Sequence, residues 1–321
     1  MAGLVTLDDV HRARERIGGR LHRTPMLGSR TLSEQTGADV VFKAELFQRT
    51  GAFKPRGVLN KLATLTDEEK ARGVISISAG NHAQALAFAS AIEGIDALVV
   101  MWQTASPMKI AAARAYGATV DDSPPDIPAA FEHLELLTEE TGRTLVHPYD
   151  DPYVMAGQGT VGLEMLEDVP RADVVLVPVG GGGLVSGIAA AVKGMKPEAR
   201  VIAVEPELSC ALAASLKAGN TVTVEPASIA DGLNGPYAGP NCVELCLELG
   251  VESVLVTEDE LREAFRFMYG RMKLACEVAG AATAAALLSG RVDLEPGATV
   301  AAVVSGGNVA PQTASAILAS A

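Results

Sequence analysis

The stretch Asp173-Val174-Val175-Leu176-Val177-Pro178-Val179-Gly180-Gly181-Gly182-Gly183-Leu184-Val185-Ser186-Gly187 decides the fold. Its nearly all-apolar, β-branched start reads as a strand buried on both faces. Four glycines then turn the chain, and Leu184–Lys193 has the composition of a helix. Strand, turn and helix form half of a βαβ unit, and the same alternation recurs along most of the chain. Strands are expected at Asp39–Lys43, Gly73–Ser78, Asp96–Met101, Ala118–Asp121, Thr144–His147, Asp173–Pro178, Arg200–Glu205, Glu252–Thr257 and Thr299–Val304. Helices are expected at Pro55–Leu65, Asn81–Glu93, Pro107–Tyr116, Pro128–Thr141, Pro152–Leu166, Leu184–Lys193, Glu258–Lys273 and Ala279–Leu288. Thr257 followed by Glu260 has capping-box spacing, and Ser106-Pro107 and Asp126-Ile127-Pro128 are helix starts. The pattern predicts an α/β fold with mainly parallel sheets flanked by helices. So many strands favour two sheets with a ligand cleft between them. We expect a large domain of residues 1–72 plus 150–321 and a small one of residues 73–149.

Composition narrows the function. The chain has 321 residues, 48% of them hydrophobic but only 4% aromatic, so Ala, Val and Leu must fill the core. A formal net charge of -13 disfavours nucleic acid and anionic membrane as partners, since both need a basic face. No apolar run has the length and purity of a membrane span. Met1–Asp9 lacks the basic and apolar regions of a signal peptide, so a cytoplasmic protein is expected. Four cysteines are too few for a disulfide scaffold. Cys242 and Cys246, spaced to share a helix face, read as small core residues rather than zinc ligands.

Three junctions and one lysine carry the chemistry. Gly180–Gly183 open a helix, where glycine lets backbone amides approach a phosphate without a Cβ in the way. Ser78-Ala79-Gly80-Asn81-His82 is a second strand-to-helix junction, suited either to a carboxylate or to simple helix capping. Ser305-Gly306-Gly307-Asn308 ends the last strand, at the sheet edge where ligands bind in such folds. Lys54 lies in Gln48-Arg49-Thr50-Gly51-Ala52-Phe53-Lys54-Pro55-Arg56-Gly57. An amine withdrawn from water, together with a phosphate cradle, suits an aldehyde cofactor tethered to lysine. A dinucleotide site is the competing reading. Gly181–Ser186 nearly matches G-x-G-x-x-G/A, and Glu205 ends the next strand where a ribose-binding acid would stand. That reading leaves Lys54 and Ser305 without a role. Arg56 and Lys61 read as a solvated or ion-paired helix face. Glu205, Glu207 and Asp231 are isolated carboxylates rather than a cation site.

In order, these segments resemble the fold-type II pyridoxal-phosphate enzymes, and within them the threonine/serine dehydratase and serine racemase family. The resemblance runs from His22-Arg23-Thr24-Pro25 to Ser305-Gly306-Gly307-Asn308. It also takes in His147-Pro148-Tyr149-Asp150-Asp151-Pro152 and Gly157-Gln158-Gly159-Thr160. It implies a tryptophan synthase β-like fold with the cofactor between the domains. Lys54 would form the Schiff base beside Phe53, and Asn81 would hydrogen-bond the ring 3′-oxygen. Gly180, Gly181, Gly182, Gly183 and Leu184 would cradle the phosphate, and Ser305 would meet the ring nitrogen. Ser78, Ala79, Gly80, Asn81 and His82 would bind the substrate carboxylate, with Asp231 and Glu277 nearby.

The implied reaction is elimination of the β-hydroxyl from L-threonine or L-serine, giving a 2-oxo acid and ammonia. Racemisation, or dehydration of another β-hydroxy amino acid, is the alternative. A nicotinamide oxidoreductase and a non-catalytic binding domain stand further off. Ala79 replaces the serine of serine racemases, which favours dehydration. Ala52 stands where a serine is usual, and Pro55 follows the lysine; both bear on substrate preference. Ser209 and Ala211 stand where cation-binding relatives have carboxylates, so no metal is expected. The chain ends soon after Ser305, so no C-terminal regulatory domain is expected. Relatives are usually dimers or tetramers, and a homo-oligomer is implied.

Overall fold

The computed structural model describes residues 4–319. The expectation for the first nine residues therefore falls partly on residues 1–3, outside the described residues. In chain order the strands are β1 Met26–Gly28, β2 Asp39–Ala44, β3 Val74–Ile77, β4 Ala97–Val100, β5 Thr119–Asp121, β6 Thr144–Leu145, β7 Val174–Pro178, β8 Arg200–Pro206, β9 Glu252–Val256 and β10 Thr299–Val304. They form a six-stranded sheet, order β1-β2-β10-β7-β8-β9, and a four-stranded sheet, order β5-β4-β3-β6. Only β1 pairs antiparallel, with Leu27 opposite Phe42; the other pairings of the named strands are parallel.

The larger sheet is buried on both faces, and its side chains sort with a period of two. Val174, Leu176, Ile202, Val204, Val300 and Ala302 join the core under the helices Glu258–Phe267 and Val278–Leu288. Val175, Val177, Val201, Ala203, Ala301 and Val303 face the opposite core, under Pro152–Asp168 and Gly183–Met195. With few aromatics available, those two helices fill space by close approach. A Cβ on Gly187 would lie 2.1 Å from the Met155 carbonyl, and one on Gly159 would lie 2.6 Å from the Gly187 carbonyl. Gly157–Thr160 thus sits at a helix crossing.

Local signals set the helix starts. Thr257 and Glu260 form the expected capping box, and Asp126 caps Ile127–Thr141 through the Ala129 amide at 2.9 Å. The helix expected to run to Lys273 ends at Phe267 and continues as a π-turn, Met268–Met272. Lys273 then adopts φ 61°, which closes the segment. The parallel strands β3, β7 and β10 run into Ser78, Gly180 and Ser305, and these ends meet in one cleft.

Candidate active site

A cavity of about 760 Å³ gathers Phe53, Lys54, Ser78, Ala79, Gly80, Asn81, His82, Gly180, Gly181, Gly182, Gly183, Leu184 and Ser305 in its walls. Lys109, Pro148, Tyr149, Asp231 and Glu277 also line it.

Lys54 is positioned by the last strand. Ala52 bridges to Gly306, and the Phe53 amide donates to the Ser305 carbonyl at 3.1 Å. Pro55 then starts the helix Pro55–Leu62, with Lys54 as its N-cap. The Lys54 Nζ donates to the Pro148 carbonyl at 2.7 Å. Burial pushes its ammonium down to about 8, against an opposing pull from the Cys242 thiol and Glu277. The amine is therefore available near neutral pH.

The glycine turn is packed from behind. Gly182 has φ 94°, and a Cβ on it would lie 2.8 Å from the Cys242 Cβ. A Cβ on Gly181 would enter the Tyr149 ring at 2.3 Å. Tyr149 is itself held edge-on by His147 and Tyr237, with centroids at 4.6 and 5.8 Å. Burial, helped by the Tyr237 hydrogen bond, raises the Tyr149 phenol well above its ordinary value, so it stays neutral. The first amides of Gly183–Met195 lack helical partners, and their dipole favours an anion at this end.

The Ser78 junction is built differently. The Gly80 amide closes onto the Ser78 Oγ at 3.1 Å, so that amide is committed to the turn. Helix Asn81–Glu93 follows, with its opening amides unpaired along the helix. The His82 ring turns away into the protein, its Nε2 lying 3.0 Å from the Val146 carbonyl and 3.1 Å from the Ser76 Oγ. Burial lowers its imidazolium to about 3, so the ring is neutral and unsuited to act as the base. Asn81 Nδ2 donates to Glu277 Oε1 at 2.8 Å. Burial, reinforced by Asp231, raises the Glu277 carboxyl to about 7. Asp231 pairs with Lys109 across the cleft at 2.5 Å.

One sequence reading needs correction, and another is narrowed. Glu205 does not line the cavity: it accepts the Leu212 and Ala213 amides at 2.8 and 2.7 Å, capping the helix Ala211–Ala218. The ribose-binding reading of Glu205 therefore fails, because the carboxylate is spent on a helix end. Of the two readings of Arg56, solvated or ion-paired, the structure bears out the ion-paired one, and the residue is buried. It is 2% exposed, with Nε and Nη2 on Glu45 at 2.8 Å each and Nη1 and Nη2 on Glu164 at 2.7 and 2.9 Å. Lys43, fully buried, adds a 2.7 Å contact to Glu164. Lys61 is ion-paired, with Asp151 at 2.7 Å. Cys242 and Cys246 are buried in apolar clusters, and among the described residues no group of acidic, Cys and His side chains could hold a metal.

Sequence reasoning gave no role to Tyr149, Pro148 or Lys109. For the first two the only signal was the run His147–Pro152, which looks like an ordinary turn until its contacts are known.

The residues fit pyridoxal phosphate. The glycine turn leaves amides free where side chains would collide, an amine of lowered basicity shares its cavity, and the volume suits a cofactor with an amino acid. The family model described as "Pyridoxal-phosphate dependent enzyme" matches residues 18–306. An L-threonine ammonia-lyase of Thermotoga maritima is 43% identical over 307 residues, 95% of this chain and 76% of that one. Among solved structures, maize serine racemase superimposes with a TM-score of 0.93 at 35% identity, over 97% of this chain and 96% of that one. A threonine deaminase from the organism abbreviated T.th. gives 0.89 at 41%, over 95% and 99%. A glycine cradle and a lysine of lowered basicity in one cleft, matched over nearly the whole chain, place this protein in the pyridoxal-phosphate dependent enzyme family, with the type II fold.

Proposed function

We propose that the enzyme is an ammonia-lyase that eliminates the β-hydroxyl of L-threonine or L-serine, releasing a 2-oxo acid and ammonia. The observation that carries this reading is the sharing of one cavity by Lys54, with its ammonium near 8, and the amides of Gly180–Gly183. The likeness to an L-threonine ammonia-lyase and a threonine deaminase supports the same substrate class.

When bound, pyridoxal phosphate supplies an aldehyde that condenses with amines and a conjugated ring that acidifies the substrate Cα–H. Lys54 would be the tether, and its Nζ would also be the base that takes the α-proton. At pH 7 a group titrating near 8 is neutral in roughly one molecule in ten, enough to react. The Pro148 carbonyl accepts from Nζ whether the amine is neutral or charged, so it holds the group near the reacting atoms. Gly180–Gly183 and Leu184 would bind the phosphate, and Phe53, beside Lys54 in the cavity wall, would line the cofactor site. The amides opening the Asn81 helix take the substrate carboxylate, with Ser78 and Gly80 shaping the turn. Ser305, in the cavity wall, would offer the ring nitrogen a hydroxyl rather than a carboxylate. A hydroxyl would not stabilise a protonated ring, which would favour elimination over transamination.

Racemisation is the second reading, supported by the likeness to maize serine racemase. Against it, Ala79 presents only a methyl group to the cavity and has no proton to deliver. We take residues 73–149 as the small domain and 1–72 with 150–321 as the large one, since β3–β6 all fall in the inserted segment. We also propose a homo-oligomer, dimer or tetramer, in the cytoplasm; the four cysteines, none in a disulfide, suit a reducing compartment. Among the described residues no helix is long and apolar enough to cross a membrane.

The test is keto-acid release across both enantiomers of serine, threonine and other β-hydroxy amino acids. Keto acid from L-threonine or L-serine, abolished in Lys54→Ala, is expected. Racemised substrate without keto acid would overturn the proposal.

A further inference from the structure

A chain of amide contacts crosses the cleft beside the lysine. Asn308 Nδ2 donates to the Thr50 carbonyl at 2.7 Å and to Asn81 Oδ1 at 2.8 Å. Asn81 Nδ2 then donates to Glu277 Oε1 at 2.8 Å. The start of the chain is strained: Thr50 has φ 61°, a conformation that β-branched residues rarely adopt, and its buried hydroxyl has no partner among the described residues. Gly51 follows at φ 74°, and a Cβ there would lie 2.6 Å from Asn308 Oδ1. Backbone strain held in place beside a site suggests a use for it.

The use is directional. A backbone carbonyl can only accept, so Thr50 fixes which end of the Asn308 side chain is nitrogen. The second N–H of Asn308 then fixes which end of Asn81 is oxygen. This order holds whether Glu277 is a carboxylate or an acid. Both N–H groups of Asn308 are consumed, whereas Asn81 keeps one N–H beyond the Glu277 bond, and Asn81 lines the cavity.

We propose that Asn308, oriented by the left-handed Thr50–Gly51 turn, is a positioning residue that sets the amide of Asn81 so that one N–H donor faces the ring oxygen of the cofactor. The inference rests on the cofactor site proposed above. Without Asn308 only Glu277 still orients the Asn81 amide, and Glu277 in its acid form can donate as well as accept, so the amide can turn over and present its oxygen, an acceptor against an acceptor. Asn308→Asp enforces that fault, because an aspartate cannot donate to either Thr50 or Asn81.

The experiment measures equilibrium binding of pyridoxal phosphate and of 3-deoxypyridoxal phosphate, which lacks the ring oxygen, to cofactor-stripped enzyme. Wild type, Asn308→Ala and Asn308→Asp are compared, and thermal unfolding confirms that each variant is folded. Wild type should prefer the natural cofactor. Both variants should lose roughly tenfold in affinity for it, the worth of one good hydrogen bond, while binding the deoxy analogue as wild type does. Equal weakening toward both ligands would make Asn308 merely structural and overturn the proposal. Unchanged variants would overturn it too. A wild type that binds both ligands equally would remove the Asn81 contact but leave the enzyme family intact. A wild type that binds neither would remove the underlying site as well.

Discussion

Lys54 and Arg56 stand two residues apart at the start of one helix, Arg56 buried and Lys54 half-buried against the cavity, and their surroundings are opposite. Arg56 is enclosed by the carboxylates of Glu45 and Glu164, with Thr160 taking a further N–H at 3.1 Å. Those neighbours hold its guanidinium firmly charged despite burial. Lys54 meets a backbone carbonyl, the Phe53 ring at 5.1 Å and a cavity, with no ion-pair partner among the described residues. The lesson is one of division. The paired cation fixes where the helix begins, and the unpaired one, carried on that fixed start, is left free to lose its proton.

The comparison breaks most visibly at Arg56. Arg56→Met strands Glu45 and Glu164 without their fork, and loss of one partner from a buried ion cluster costs about 3–5 kcal/mol. A denaturant midpoint should fall accordingly. A variant as stable as wild type would show that the cluster does not anchor the helix.

Lys54→Met should go the other way. It removes an amine whose charged form burial disfavours, so the melting temperature of cofactor-free protein should hold or rise while turnover vanishes. A drop as large as that from Arg56→Met would place Lys54 in the scaffold.

The smallest effect is a pH dependence. The folded amine releases its proton near 8 and the unfolded one near its ordinary 10.5. Between these values the unfolded chain binds more protons, so the contribution of Lys54 to stability rises with pH. Glu277 has the opposite sign. Its folded value near 7 lies above its ordinary 4.5, so its contribution is complete below 4.5 and is lost as pH rises through 7. Chemical unfolding should show the alkaline rise in wild type and not in Lys54→Met. An identical alkaline profile in the two proteins would mean that burial does not shift Lys54.

Much of this was legible in the sequence, and the exceptions have physical causes. Apolar strands followed by glycine or serine junctions announced a parallel α/β fold, because such runs suit little else. β1 was missed because three residues carry no usable period, and it is defined by pairing with β2. The helix Leu7–Ile17 was also passed over, although Thr6 and Asp9 form a capping box at its start. The burial of Arg56 was illegible because its partner Glu164 lies 108 positions away on another helix. The Asn308–Asn81 contact spans 227 positions, so only the fold brings the two amides together. Lys54 could be singled out because it stands beside local motifs; the groups that hold those motifs in place could not.

The most direct test of the central claim is covalent. The enzyme with pyridoxal phosphate bound is reduced with borohydride, digested and mapped by mass spectrometry for pyridoxyl-lysine. The adduct should fall on Lys54 alone. An adduct on Lys43, Lys61 or Lys109 instead, or no adduct at all, would contradict the assignment of the unpaired amine as the tether.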